Sequence, residues 1–267
     1  MPLNETEKKL MEELRHHLRG WQEKAENTFS RKTFEYELSQ LESDPLYRDF
    51  GFSNNEYVLI RSMGRISISI GRRLGELYDK IPRFAVQAKY DLEHDDVALK
   101  MGPKGSQLNL DIGIPYRRLH AEDVEIVNSV FEDHSIPPMG SGYGIEIRYN
   151  FNPNDSSRLR KDVSMANYLA EANLTPTYLV FSSISPRNEA IDRLKRAGWH
   201  FLIGDDASSF MYDLCGLDVL SVLENPDISK EIQAEINKMY EGIFLSYGFK
   251  EATKNWAPRI EYAYVSI

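Results

Sequence analysis

Apolar side chains recur three and four positions apart over the first stretch of the chain. Leu10, Leu14, Leu18 and Trp21 share a helical face with charged residues between them, so residues 5–43 are expected to be helical. Asp44-Pro45 and Gly51-Phe52-Ser53 punctuate that run, and Asn54 or Asn55 offers a cap for a second helix through Leu59 and Met63. A third helix is expected over 66–89, with Pro82 either kinking it or splitting it in two. The period then changes. Val97 to Met101, the turn Gly102-Pro103-Lys104-Gly105 and Gln107 to Ile112 predict a β-hairpin. Residues 120–133 read as a helix, and the proline- and glycine-rich stretch 136–142 as loop.

From Ile145 to Phe151 the alternation is that of a strand. A polar loop, Asn152 to Asp155, leads to a helix capped by Asp155 or Ser156, with Leu159, Val163, Ala166 and Leu169 on one face. Thr177 to Phe181 reads as a buried strand, Arg187 to Ala197 as a helix stopped by Gly198, and Trp199 to Ile203 as another strand; helices over 206–215 and 227–246 follow. Strand and helix alternate from 145 to 203, which implies parallel crossovers, while 97–112 is antiparallel. The expected fold is α/β: a mixed β-sheet flanked by helices, with a helical N-terminal region over 1–58 and a core with C-terminal helices over 59–267.

Composition narrows the classes. The 267 residues suit one catalytic-sized core plus an extension, and 42% hydrophobic residues are enough to fill it. No apolar run reaches the roughly 18–20 residues of a membrane span, and the start Met-Pro-Leu-Asn-Glu-Thr-Glu lacks the apolar segment of a secretory signal. The single cysteine, Cys215, excludes an intramolecular disulfide and a cysteine zinc cage. A cytoplasmic protein without a membrane partner is expected.

The net charge of -9 argues against nucleic acid until its distribution is considered. Between Leu59 and Tyr90 stand seven basic residues (Arg61, Arg65, Arg72, Arg73, Lys80, Arg83, Lys89) against Glu76 and Asp79, and Arg148, Arg158, Arg160 and Lys161 form a second cluster. These are either a basic groove or ordinary solvated helix faces.

Chemistry concentrates on two strands. In Leu108 to Ile112 alternation sets Asp111 opposite the aliphatic face, and in Ile145 to Arg148 it does the same for Glu146 and Arg148. If the strands are neighbours, the three side chains project from one sheet surface. Two converging carboxylates would suit Mg²⁺, a hard cation that prefers oxygen ligands. The same pattern also describes any half-exposed strand. The histidines lack metal-ligand spacing, and the Gly140 to Gly144 run precedes a strand, so it is neither a Walker loop nor a dinucleotide fingerprint.

Asp111, then Glu146-x-Arg148, then a helix and crossover strands, resembles the PD-(D/E)xK nuclease core. Gly144-Ile145-Glu146-Ile147-Arg148-Tyr149-Asn150 and Asn154-Asp155-Ser156-Ser157-Arg158-Leu159-Arg160-Lys161-Asp162 are similar to type II restriction endonucleases, as are Leu179 to Arg187 and Ile191 to Trp199. The ApaLI-like restriction family is the one this second half resembles best. The resemblance implies Mg²⁺-dependent hydrolysis of double-stranded DNA at a short palindrome by a homodimer, with the nuclease core in 59–267.

Carried over by position, Asp111 and Glu146 become metal ligands, and Arg148 stands where the pattern has lysine. Arginine is planar and stays protonated, so either Arg148 substitutes electrostatically, or Lys161 reaches in from the following helix, or the site is inactive or misaligned. The 34 residues between Asp111 and Glu146 are long for the motif, which makes Asp95, Asp96 and Asp123 alternatives for the first acid, and Glu76 an outer carboxylate or a solvated one. Arg117, Arg118, Asn154, Ser156, Arg158 and Lys161 are expected at DNA, the last four around a helix N-terminus that can meet a phosphate. The alternatives are a repair or structure-specific nuclease of the same superfamily, and a non-catalytic DNA-binding protein that keeps the fold.

Overall fold

A computed structural model describes residues 5–151, 156–183, 188–216, 218, 222 and 224–256. The chain forms two compact units, one of residues 11–74 and 226–267, the other of residues 1–10 and 75–225.

The first of these units is helical. The stretch expected as one helix over 5–43 is two, α1 (Glu5–Thr28) and α2 (Arg31–Ser43), because Ser30 takes an extended conformation and its side chain accepts from the Thr33 N–H as an N-cap. After the short α3 (Pro45–Asp49), α4 runs unbroken over Asn55–Tyr78, joining two segments expected to be separate. Its glycines lower helix stability but do not stop propagation. The next helix is α5 (Lys80–Tyr90), which belongs to the second unit, so Pro82 splits the expected 66–89 helix rather than kinking it. Pro82 sits in the first turn of α5, where its missing N–H has no intrahelical partner to lose. The break therefore falls at Asp79.

The second unit holds the sheet. α6 (His94–Val97) precedes a two-residue ladder of β1 (Lys100–Met101) and β2 (Leu108–Asn109), shorter than the expected hairpin. The chain bends at Asp111 and enters the main sheet as β3 (Ile112–Pro115), followed by a 3₁₀ turn (Tyr116–Arg118) and α7 (Ala121–Asp133). β4 spans Gly142–Arg148, α8 Ser156–Glu171, β5 Thr175–Val180, α9 Asn188–Arg196, β6 His200–Ile203 and α10 Asp205–Cys215. The strand order is β3-β4-β5-β6, with β3 antiparallel to β4 and the remaining pairs parallel. This is a mixed α/β fold with a four-stranded sheet flanked by helices.

β4 starts three residues earlier than the sequence pattern suggests. Gly142 pairs with Pro115 at a φ of 132°, and a Cβ there would lie 2.1 Å from the Ile114 carbonyl oxygen. Only glycine fits that approach, so Gly142, expected to end a loop, makes the strand's first pair.

Burial then follows the two-residue period. Tyr143, Ile145 and Ile147 face α7 and α10, where Phe131 stacks on Tyr143 and meets Phe210 edge-on at 4.8 Å. The opposite face carries Tyr178 and Val180 against Met165, Ala166 and Leu169 of α8 and Ile191 and Leu194 of α9. Glu146 and Arg148 project from this second face, beside a core of large apolar side chains.

The C-terminal helices α11 (Pro226–Phe244) and α12 (Tyr247–Thr253) belong to the helical unit, where α12 packs on α2 through Gly248 and Phe34. Among the described residues no helix is long and apolar enough to cross a membrane.

Candidate active site

Register brings the acids together. Ile112 pairs with Ile145, so Asp111 stands beside Glu146 at the point where β3 begins and β4 nears its carboxyl end. That is also the carboxyl end of the parallel strands, where open α/β sheets place their ligands. Asp111 Oδ2 accepts from the Ile147 N–H at 3.0 Å and from Arg148 Nη1 at 2.9 Å, while Arg148 Nη2 lies 3.1 Å from Glu146 Oε2. One guanidinium therefore bridges both carboxylates. Arg83 of α5 closes the far side, its Nε donating to the Asp111 carbonyl at 2.6 Å and its Nη2 standing 3.5 Å from Asp111 Oδ1.

Two further acids border this pair. Asp162 on α8 is 5% exposed; its carboxylate accepts from the Tyr178 hydroxyl at 3.4 Å and its carbonyl from Trp199 Nε1 at 2.8 Å. Asp79 occupies the break between α4 and α5. Its Oδ1 and the Arg148 Nε are buried with no hydrogen-bond partner among the described residues.

The electrostatics are those of a carboxylate cluster short of positive charge. Burial raises the Glu146 carboxyl well above the ordinary range, and Asp111 beside it adds to the effect against the pull of Arg148. Burial likewise raises Asp162, with Arg148 and Arg158 opposing. Asp79 is pushed up to about 7, first by burial, with Arg148 pulling down and Asp111 pushing up. Burial works against the Arg148 charge too, but Tyr178, Glu146, Asp111 and Asp79 together outweigh it, and the guanidinium stays protonated.

The basic residues divide. Arg158 of α8 is exposed and its charge acts on Asp79, Asp162 and Tyr178; Lys161 is exposed three residues further on. Ser156 is the first residue of α8, and Asn154, like the Asp155 cap, lies outside the described residues. Arg117 is exposed and lines a cavity of about 440 Å³ with Leu99, Met101, Pro115 and Leu174, at the other end of β3 from Asp111. Arg118 pairs with Asp96 at 2.9 Å. The alternative first acids are elsewhere: Asp96 also belongs to the capping box of α6, Asp95 is exposed on the same helix, and Asp123 lies in the first turn of α7. Glu76 is exposed on α4.

The sequence reading missed Asp79, Arg83, Asp162 and Tyr178 as neighbours of the acid pair. One signal was available. Asp162 falls four and seven residues before Ala166 and Leu169, which puts a carboxylate on the apolar face of α8.

Whether Mg²⁺ fits depends on this donor set. Among the described residues no group of three or more histidine, cysteine, aspartate or glutamate side chains is placed to hold a metal. Two facing carboxylates remain, and Mg²⁺ commonly takes one or two protein carboxylates, completing its shell with water and substrate phosphate. The pair thus fits that mode, with Arg148 as the resident positive charge. The chain matches no protein-family model, no curated protein and no solved structure.

Proposed function

We propose that the chain is a Mg²⁺-dependent, site-specific deoxyribonuclease that hydrolyses double-stranded DNA at a short palindrome in the manner of type II restriction endonucleases. The observation that carries this reading is the Asp111–Arg148–Glu146 constellation at the carboxyl end of β4, beside antiparallel β3 and followed by a crossover helix.

Asp111 and Glu146 would hold the ion. When bound, Mg²⁺ supplies a lowered water pKa and charge stabilisation at phosphorus. The chain's own residues do the rest. Arg148 offsets the charge of the paired acids, with Nη1 on Asp111 and Nη2 on Glu146. Asp111, fixed by the Ile147 N–H and by Arg83, keeps its carboxylate aimed at Glu146. Tyr178 and Trp199 wall the buried side and exclude solvent there, which strengthens every charge interaction in the site. Arg158, exposed at the start of α8, would hold the phosphate backbone, with exposed Lys161 on the same helix as a further contact.

The test uses purified protein, bacteriophage DNA, Mg²⁺ or EDTA, and Glu146→Gln. Discrete fragments are expected with Mg²⁺ alone, together with a Mg²⁺-dependent rise in Tm that Glu146→Gln abolishes. A second reading, a non-catalytic DNA-binding protein, draws on Arg148 itself, which already engages both acids at 2.9 and 3.1 Å. It expects DNA retained uncut and a Tm indifferent to Mg²⁺.

A further inference from the structure

Arg148 has a second place to go. Its Nη1 and Nη2 hold Asp111 Oδ2 and Glu146 Oε2 at 2.9 and 3.1 Å, while its Nε is buried with no partner among the described residues. Asp79 is the complement. Its Oδ1 is likewise buried and without a partner, and although Asp79 is the N-cap of α5, its side chain makes no capping hydrogen bond. An N-cap aspartate ordinarily turns its carboxylate to the helix N–H groups, and a buried donor or acceptor left unpaired is costly to keep. A guanidinium donor and a carboxylate acceptor are thus both left open in one site.

Chain neighbours bring the two groups together. Tyr78 packs edge-on against Tyr149 at 4.7 Å, which sets Asp79 alongside Arg148, and the Tyr149 backbone N–H bonds the Asp79 carboxylate. The charges of Asp79 and Arg148 act on each other. Asp162 also feels Arg148, but its Oδ2 already accepts from the Tyr178 hydroxyl. At the acid pair, positive charge stands on the oxygens an ion would take. Arg148 engages Asp111 Oδ2 and Glu146 Oε2, and Arg83 faces Asp111 Oδ1 at 3.5 Å. A divalent ion and a guanidinium cannot share those oxygens, since like charges in a buried site repel with little screening.

We infer that Arg148 is a displaceable latch on the acid pair and that Asp79 is its second berth: a divalent ion entering between Asp111 and Glu146 drives the guanidinium from them onto Asp79 Oδ1. Asp79 is thus a positioning residue that acts on the ion through Arg148. The inference rests on the reading of Asp111 and Glu146 as metal ligands. It adds that the ion's affinity depends on how well Asp79 receives the displaced charge.

Calorimetric titration of the full chain with Mg²⁺ at pH 8 tests it, with circular dichroism as the check on folding. Asp79→Asn is expected to weaken Mg²⁺ binding roughly tenfold, and Arg148→Met, which removes the competing charge, to tighten it by about as much. The double variant is expected to bind as Arg148→Met does, because without the guanidinium Asp79 has nothing to receive. A carboxylate that merely attracts the ion would lose the same factor in both backgrounds. Crystals of the wild type grown with Mn²⁺ are expected to show Arg148 on Asp79, a readout that needs no variant to fold. Equal affinity of Asp79→Asn and wild type, a loss that persists beside Arg148→Met, or Arg148 still on both acids with Mn²⁺ bound would each overturn the inference and leave the metal reading standing. Wild type that binds no divalent ion, or Glu146→Gln that binds it as tightly as wild type, would overturn both.

Discussion

Asp79 shows how a single side chain sets a pH dependence. Its folded pKa of about 7 lies above the 3.8 of an ordinary aspartate, so the folded state favours the neutral acid. Stability from this group is fully present below pH ~4, falls as pH rises toward 7, and stays lost above that. Asp79→Asn removes the penalty. The variant is expected to melt higher than wild type at pH 8, by an amount on the order of a few kcal/mol, and to match it near pH 4. Melts across that range check it; a difference independent of pH would contradict it. Arg148→Ala should do the reverse, because it leaves Glu146 and Asp111 facing each other in a buried site. A loss of roughly 3 kcal/mol is expected where Glu146 is ionised, shrinking as falling pH lets it take up a proton. Glu146 and Arg148 were legible from alternation alone. Asp79 was not, because its role follows from a helix break whose position the apolar period leaves open across 66–89.

At the scale of elements, the strands carrying the acids depend on glycine. Gly142→Ala puts a methyl 2.1 Å from the Ile114 oxygen at a positive φ, and a Cβ on Gly144 would lie 2.4 Å from the end of the Leu169 side chain. Gly142→Ala is expected to break the β3–β4 pairing that sets Asp111 beside Glu146, costing several kcal/mol or abolishing folding. Gly105→Ala, also at positive φ but in open space, should cost only about 1 kcal/mol. Equal losses in denaturant melts would contradict this account of the strand. The cap on α2 is a milder case, where Ser30→Ala should cost about 1 kcal/mol.

The succession of strands and helices from β4 to α10 was legible because each strand is a short apolar run closed by polar or glycine residues. Three features were not. The extent of β4 was hidden because Gly142 and Gly144, on either side of Tyr143, carry no apolar signal. The α1–α2 break depends on one serine cap within a continuous helical period. The shortness of the β1–β2 ladder follows from the bend at Asp111, which transfers the strand to another sheet. Around the acid pair, strand alternation located Asp111, Glu146 and Arg148, but Arg83, Asp162 and Tyr178 arrive from elements whose packing on that face no local pattern states.

For the whole molecule, the net charge of -9 makes DNA an unfavourable partner except where positive charge is local. On the proposed reading, exposed Arg158 and Lys161 at the start of α8 provide such a place, and Asp111 and Glu146 hold the metal. Activity should therefore require a divalent ion and fall as salt rises. The most direct measurement of the central claim is cleavage of bacteriophage DNA by wild type and Glu146→Gln with Mg²⁺ or EDTA. Wild type with Mg²⁺ is expected to give discrete fragments, and EDTA or the variant none. Intact DNA from folded wild type, across divalent metals and substrates holding every six-base palindrome, would contradict it.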